Sequence, residues 1–238
     1  TYPADRQRRG ESLAAGLIEG AGLGWLKPLL LPFGTRYLIR RMVPRMAFAG
    51  ANENNAPLLI ESFANLVDML EVHLAERPYL FGARPALGDF GLWGQLYQAW
   101  LDPTCESILK ARGPEVVRWI RRMENPSNEG EFESLDALAP TLRPIFEREV
   151  GPRFLAWSDA NAKAWATGEA QTELQLDGRR YYQKTFKYPA ATVGILKAKY
   201  QVASQCQELV DFLSANGCLP YLQTGQERSE SHLDPLFT

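Results

Sequence analysis

From Leu59 to Leu74 the apolar residues Leu59, Phe63, Leu66, Val67, Leu70 and Leu74 recur with the helical period, while Glu61, Asn65 and Asp68 fall on the other side. Asn54-Asn55-Ala56-Pro57 supplies cap residues and a first-turn proline before this run, and Pro78 closes it. The pattern predicts a helix with one buried face. A different pattern follows, because from Phe90 to Leu101 there is no charged side chain at all. A helix apolar all round is a buried one, so this segment is expected at the centre of a bundle. Gly88, Gly91 and Gly94 recur through it at spacing three, and each helix-interior glycine costs about 1 kcal/mol against alanine. Such a stripe predicts close approach of another helix backbone, and leucine at Gly91 or Gly94 should then force the two backbones apart.

The rest of the chain adds mostly helical patterns. Glu11–Phe33 is poor in charge but carries Gly16, Gly20, Gly22, Gly24, Pro28 and Pro32, which predicts a short helix over Ser12–Glu19 and then a turn-rich apolar segment. Thr35–Met46 gathers Arg36, Arg40, Arg41 and Arg45 on one side of a helix, with Pro44 limiting it. Asp102-Pro103 breaks the charge-free helix and caps a short one through Leu109. Pro114 opens another, with Val116, Trp119, Ile120 and Met123 inward and Arg118, Arg121 and Arg122 outward. Asn125–Glu133 reads as a polar acidic loop between helices.

Leu135, Leu138, Leu142, Ile145 and Phe146 predict helix again, interrupted or restarted around Pro140 and Pro144, and Phe154, Trp157, Asn161 and Trp165 continue it to Gly168. Asp177-Gly178 between two alternating segments, Thr172–Leu176 and Arg179–Phe186, is a hairpin signature, since both turn residues tolerate positive φ. A lone hairpin is marginal and must lean on the helices; Tyr181, Tyr182, Phe186 and Tyr188 are available for that contact. Val193, Leu196, Tyr200 and Ala203 mark the inner side of a last helical region, which Gly217 ends, and Gln223–Thr238 lacks an apolar period and is expected to be a flexible tail.

The 238 residues are 45% hydrophobic and 23% charged, the composition of a globular protein, and a formal net charge of −2 gives no footprint for nucleic acid. The three cysteines lack metal or disulfide spacing and are expected to be reduced, and with only His73 and His232 beside them no metal site is readable. His73, without a second ligand at i+4, reads as structural. The prolines of the Glu11–Phe33 run speak against a membrane span, and they also spoil an interfacial amphipathic helix, so membrane association is not expected. The sequence does not begin with methionine, and an upstream segment is expected.

Pro78-Tyr-Leu-Phe-Gly82 followed by Arg84-Pro85-Ala-Leu-Gly-Asp89-Phe90 resembles the C-terminal helical domain of glutathione S-transferases, most closely a bacterial branch with a long C-terminal extension. In that family an aspartate ends a Ser/Thr-x-x-Asp capping box. The resemblance puts Asp89 on it as a structural cap, with Ala86 at the cap position, where the reciprocal hydroxyl is missing. The fold implied is an all-α, glutathione S-transferase C-terminal-like bundle over residues 1–150, a helical extension with one small β-hairpin near 172–186 over residues 151–222, and the tail 223–238. The location implied is cytoplasmic.

What the resemblance implies about activity is limited by what the chain lacks. In the family a thioredoxin-like domain supplies the thiolate-holding residue and a cis-proline loop, and neither pattern is present, so glutathione is implied as a substrate but no catalytic residue is assigned. This chain alone is expected to be inactive, the hydrophobic-substrate side of a transferase whose thioredoxin-like domain lies upstream. The alternative is a non-catalytic helical module for protein–protein interaction, and a homodimer is compatible with either. Candidate pocket residues are Tyr37 and Arg41 on the arginine helix and Trp93, Tyr97 and Trp100 on the charge-free helix. The bland reading of that aromatic trio is core packing. Arg36 and Arg40 are candidates for an anionic ligand, since guanidinium forks suit carboxylates, against the bland reading of a solvated face.

Overall fold

The computed structural model describes residues 3–223, and the C-terminal stretch expected to be a tail lies outside them from residue 224 on. Helices dominate. In chain order they are α1 (Pro3–Gly20), α2 (Lys27–Met46), α3 (Ala56–Leu74), α4 (Leu87–Trp100), α5 (Pro103–Arg112), α6 (Pro114–Arg122) and α7 (Leu135–Ile145). A π-helical segment (Phe146–Leu155) continues α7 into α8 (Ala156–Thr167), and strands β1 (Gln171–Leu176) and β2 (Arg179–Lys184) precede α9 (Lys187–Ala203), α10 (Gln207–Ala215) and α11 (Leu219–Leu222).

The core forms where amphipathic faces converge. Val67, Leu70 and Leu74 of α3 meet Leu109 of α5, Val116, Trp119 and Ile120 of α6, and Leu138, Leu142 and Ile145 of α7, all buried. The central helix is therefore α3, which packs against α5, α6 and α7. This corrects the expectation for α4, in which only Asp89 and Leu96 are buried while Leu87 and Phe90 are 80% and 49% exposed. A Cβ at Gly91 or Gly94 would meet nothing within 4 Å, and one at Gly88 would meet the Phe81 ring rather than another helix. The physical reason is that absence of charge fixes no face. The side chains that can bury area, Leu92, Trp93, Leu96 and Tyr97, pack on the core, and the glycines turn outward.

The N-terminal segment also departs from expectation. Instead of a short helix and a turn-rich stretch, α1 and α2 are long and antiparallel, and α2 runs through Pro32 and Pro44. The glycines work here as contact residues: a Cβ on Gly10 would sit 2.9 Å from Ile39 Cγ1 and one on Gly34 3.3 Å from Ala14 Cβ, so their absence lets the helices approach. From residue 11 to 46 only Ala14 and Thr35 are buried, which makes this hairpin an arm one helix pair thick. Its base is tied to the bundle by Thr104 Oγ1, which donates to Asp5 Oδ2 at 2.5 Å, and by Arg9 Nη1, which donates to the Leu101 carbonyl at 3.1 Å.

Helices α7 and α8 and the π segment between them form one helical run through Pro140, Pro144 and Pro152, and the expected division at residue 150 falls inside it. The β-hairpin pairs Leu174 with Tyr181 and Leu176 with Arg179, and its turn uses Asp177 at φ 50 and Gly178 at φ 71. Leu176, Tyr181 and Leu58 form a second small core with Trp157, which is why Leu58 rather than Leu59 is buried at the start of α3. Asn55 does not cap α3 with its side chain. Its amide donates to the Tyr182 carbonyl at 2.8 Å and accepts from the Tyr182 N–H at 3.3 Å, acting as one more strand residue at the hairpin edge. Tyr188, expected to help seat the hairpin, is 76% exposed on α9.

Candidate functional site

The outer face of α2 is built by helical period alone. At 100° per residue, Leu29, Phe33, Arg36, Tyr37 and Arg40 share one side, the side opposite Thr35 and Ile39, which meet α1. Phe33, Arg36, Tyr37, Arg40 and Arg41 line one open depression there. Arg41 Nη1 donates to Tyr37 Oη at 3.1 Å, with its guanidinium carbon 6.0 Å from the Tyr37 ring centroid. None of Arg36, Arg40 and Arg41 has a carboxylate partner among the described residues. Three guanidinium groups beside an exposed aromatic ring offer attraction and orientation to an anion.

The structure brings Tyr37, Arg41, Arg36 and Arg40 together, and places Trp93, Tyr97 and Trp100 elsewhere. Trp93 Nε1 donates to the Ile120 carbonyl at 3.0 Å, and its ring lies 5.2 Å from that of Tyr97. Trp100 sits between Lys110 Nζ at 5.4 Å and Arg121 at 5.8 Å from its ring centroid. These aromatics join α4 to α5 and α6 at the edge of the core. A cleft that sequence reading missed lies between α1 and α2, about 200 Å³ in volume, with Leu13, Leu38, Ile39 and Met42 along its wall and Asp5 and Asp102 at one end. Its residues could not be paired in advance without knowing that α1 and α2 form a hairpin.

Asp89 is fully buried and does more than cap. Its Oδ2 accepts from the Ala86 N–H at 2.9 Å, and its Oδ1 accepts from the Leu80 N–H at 2.8 Å and from Trp119 Nε1 at 3.1 Å. Ala86 has no side-chain acceptor, so the reciprocal half of a capping box is absent and the carboxylate instead ties the Pro78–Gly82 turn and α6 to the start of α4. The same turn is held from the other side by His73. Its Nε2 lies 2.8 Å from the Leu80 carbonyl, which can only accept, so Nε2 carries the proton and Nδ1 accepts from Thr141 Oγ1 at 2.7 Å. Burial holds this imidazole below its ordinary pKa, partly opposed by the bond to Leu80.

A polar clasp not foreseen from the sequence fixes the β-hairpin turn. Glu149, in the π segment, accepts from Ser62 Oγ and from Arg153 Nη1, and Arg153 also bonds Asp177. Burial raises the Glu149 carboxyl above its ordinary value, against the pull of Ser62 and Arg153. As for nucleophiles, burial and the nearby Asp102 push the Cys105 thiol up to about 11, and burial pushes Cys218 up to about 11. Neither is a thiolate near neutral pH. The cysteines are free, and no cluster of three metal-ligating side chains occurs among the described residues.

Residues 43–122, about a third of the chain, match the family model for the glutathione S-transferase C-terminal domain. The resemblance carried by Pro78–Phe90 is thereby shown over the stretch from the end of α2 through α6, and the all-α bundle with one small hairpin is the fold observed. Comparison with curated proteins gave no match, and comparison with solved structures gave none. Among the described residues no helix is long and apolar enough to cross a membrane.

Proposed function

We propose that this chain is the helical, hydrophobic-substrate side of a glutathione-transferase-like protein of the bacterial cytoplasm, dependent on an upstream thioredoxin-like domain for its thiolate chemistry. The observation that carries the reading is the family match over residues 43–122. Two features support it. Arg36, Arg40 and Arg41 offer cations to the two carboxylates of a tripeptide such as glutathione, and the thiols of half-buried Cys105 and buried Cys218 are held protonated. Stabilising a thiolate in the transition state needs preorganised donors, whereas an exposed arginine face supplies attraction only.

The test is a conjugation assay with a chloronitrobenzene electrophile beside calorimetric titration with glutathione. The 238-residue chain should bind glutathione weakly, with an affinity that falls as salt rises, and should show no turnover above background. Changing Arg36, Arg40 and Arg41 to glutamine should abolish the binding. A form carrying its native upstream sequence is the arm expected to turn over. Turnover by the chain alone would overturn the division of labour. A second reading, a non-catalytic interaction module, is favoured by the unpartnered apolar residues on α4 and α9, among them Leu87, Phe90, Ile195 and Val202.

A further inference from the structure

From Gly20 to Asn52 the chain has no acidic residue and five cations, Lys27, Arg36, Arg40, Arg41 and Arg45, although the whole chain holds 28 acids against 26 lysines and arginines. This stretch is the free end of the α1–α2 arm, all of α2 and the turn after it. Pro28, Pro32 and Pro44 do not interrupt α2, which removes the ground for expecting no interfacial helix there. The two halves of the arm differ. At its free end Leu17 and Leu29 are each 63% exposed and Trp25 is 78% exposed, with Phe33 at 72% one turn further on. The only charges between Ser12 and Thr35 are Glu19 and Lys27, which neutralise one another at 2.5 Å. Nearer the bundle Arg36, Arg40, Arg41 and Arg45 are all exposed, and none has a carboxylate partner among the described residues.

We propose that the arm docks tip first on the surface of a bilayer rich in anionic phospholipid, with Leu17, Trp25 and Leu29 below the headgroups and the arginines at the level of the phosphates. Charge complementarity and the order of the two halves along the arm carry the choice of occupant. Leu29, Phe33, Arg36 and Arg40 share one side of α2, so a helix lying flat would press two guanidinium groups as deep as the leucine. Tilting the arm separates them, because Leu29 and Arg40 are eleven residues, or about 16 Å, apart along the axis. An interfacial segment sinks its apolar part by about 5–10 Å, and tryptophan favours that boundary. A nucleic acid would use the cations and leave the apolar end in water. The arm also holds the acidic bundle back: from Arg9, bonded at the base, to Gly20 at the free end is again about 16 Å. That is roughly twice the screening length of about 8 Å at physiological ionic strength, so the carboxylates of the bundle oppose the approach little. Each arginine near the anionic surface adds attraction that falls as salt rises.

The test is co-sedimentation of the full chain with sucrose-loaded vesicles, made either of phosphatidylglycerol and phosphatidylcholine in equal parts or of phosphatidylcholine alone. The chain should sediment with the first and stay in solution with the second. Changing Arg36, Arg40 and Arg41 to glutamine should lower the partition about a hundredfold. Leu17→Ser combined with Trp25→Ser keeps every arginine and alters only exposed side chains; it should lower the partition at least about tenfold and leave the glutathione titration as it was, so that this proposal and the transferase reading fail separately. Vesicles brominated on their acyl chains should quench part of the tryptophan fluorescence of the native chain. Trp25→Phe should still bind but lose that quenching, because the other five tryptophans, Trp93, Trp100, Trp119, Trp157 and Trp165, belong to the bundle. The proposal is overturned by a chain that does not sediment, by equal binding to neutral vesicles, by full binding of the Leu17→Ser, Trp25→Ser variant, which would leave a cationic face for any polyanion, or by quenching that persists in Trp25→Phe. It is also overturned if a form carrying its native upstream sequence does not bind, since that sequence would then be what covers the arm.

Discussion

Replacing Asp89 with alanine removes one side chain and strands three N–H donors, those of Leu80, Ala86 and Trp119, of which Leu80 and Trp119 belong to buried residues. A hydrogen bond to a charged group contributes about 1.5–3 kcal/mol net, and three of them set an upper bound of about 5–9 kcal/mol. Part of that is offset, because the carboxylate is buried without a cationic partner among the described residues and its removal relieves several kcal/mol of desolvation. The expected loss is about 3–5 kcal/mol, clearly above the roughly 0.5–2 kcal/mol of an exposed helix cap. Asparagine keeps one accepting oxygen, which can serve Leu80 and Trp119 but turns an amide against the Ala86 N–H. Asp89→Asn should therefore lose only about 1–3 kcal/mol.

The assay is urea unfolding followed by circular dichroism, with slopes compared so that a shift in midpoint reads as stability. A double-mutant cycle with Trp119→Phe isolates the indole bond, and a coupling of about 1 kcal/mol or more is expected for residues in contact. If Asp89→Ala costs less than about 1 kcal/mol, or if the cycle shows no coupling, the carboxylate is an ordinary cap and the tie between α4 and α6 is carried by apolar packing alone.

Two further expectations follow from the geometry. Gly91→Ala and Gly94→Ala should each stabilise the protein by about 0.5–1 kcal/mol, because both sites are helical, exposed and empty around the added methyl; a loss at either site would restore a close-packed stripe. His73 is held below its ordinary 6.5 by burial, so the unfolded chain binds the proton first as pH falls. Its contribution to stability is complete above about 6.5 and declines below it by up to about 1.4 kcal/mol per pH unit. Unfolding measured from pH 7.5 to 5.5 should show that slope, and His73→Gln should flatten it; the same slope in both proteins would assign it to another group.

Legibility followed periodicity. Val116, Trp119 and Ile120 against Arg118, Arg121 and Arg122 gave α6 and its buried face from the pattern alone, and all three apolar residues are fully buried. The hairpin turn at Asp177-Gly178 was equally plain, since positive φ is a local requirement met by local residues. Where the pattern had no period the reading went astray. Phe90–Leu101 has no charge to mark an outside, so burial on all sides and a glycine contact stripe were inferred, whereas the helix presents its glycines to solvent. In α1 and α2 the error had the opposite sign: glycines and prolines suggested breaks, yet Gly10 and Gly34 allow two continuous helices to touch. A glycine in a helix permits close approach without requiring it, and only the tertiary partner decides which.

The same logic separates the parts of the candidate site. Arg36, Arg40 and Arg41 could be grouped because they lie on one helix, and the structure joins them with Tyr37 in one depression. Trp93, Tyr97 and Trp100 were grouped with them only through the family resemblance, and no local pattern linked α4 to α2. The aromatic trio packs towards α5 and α6, leaving the outer face of α2 open. Nor could the asymmetry of α9 be seen before its inner face was fixed. Tyr188, Ile195 and Val202 have the same spacing as a core stripe, and it is the burial of Val193 and Tyr200 on the opposite side that makes them a surface. An apolar stripe at helical spacing therefore acquires meaning only once the fold has claimed one face, and on α9 the face it claimed is that of Val193 and Tyr200.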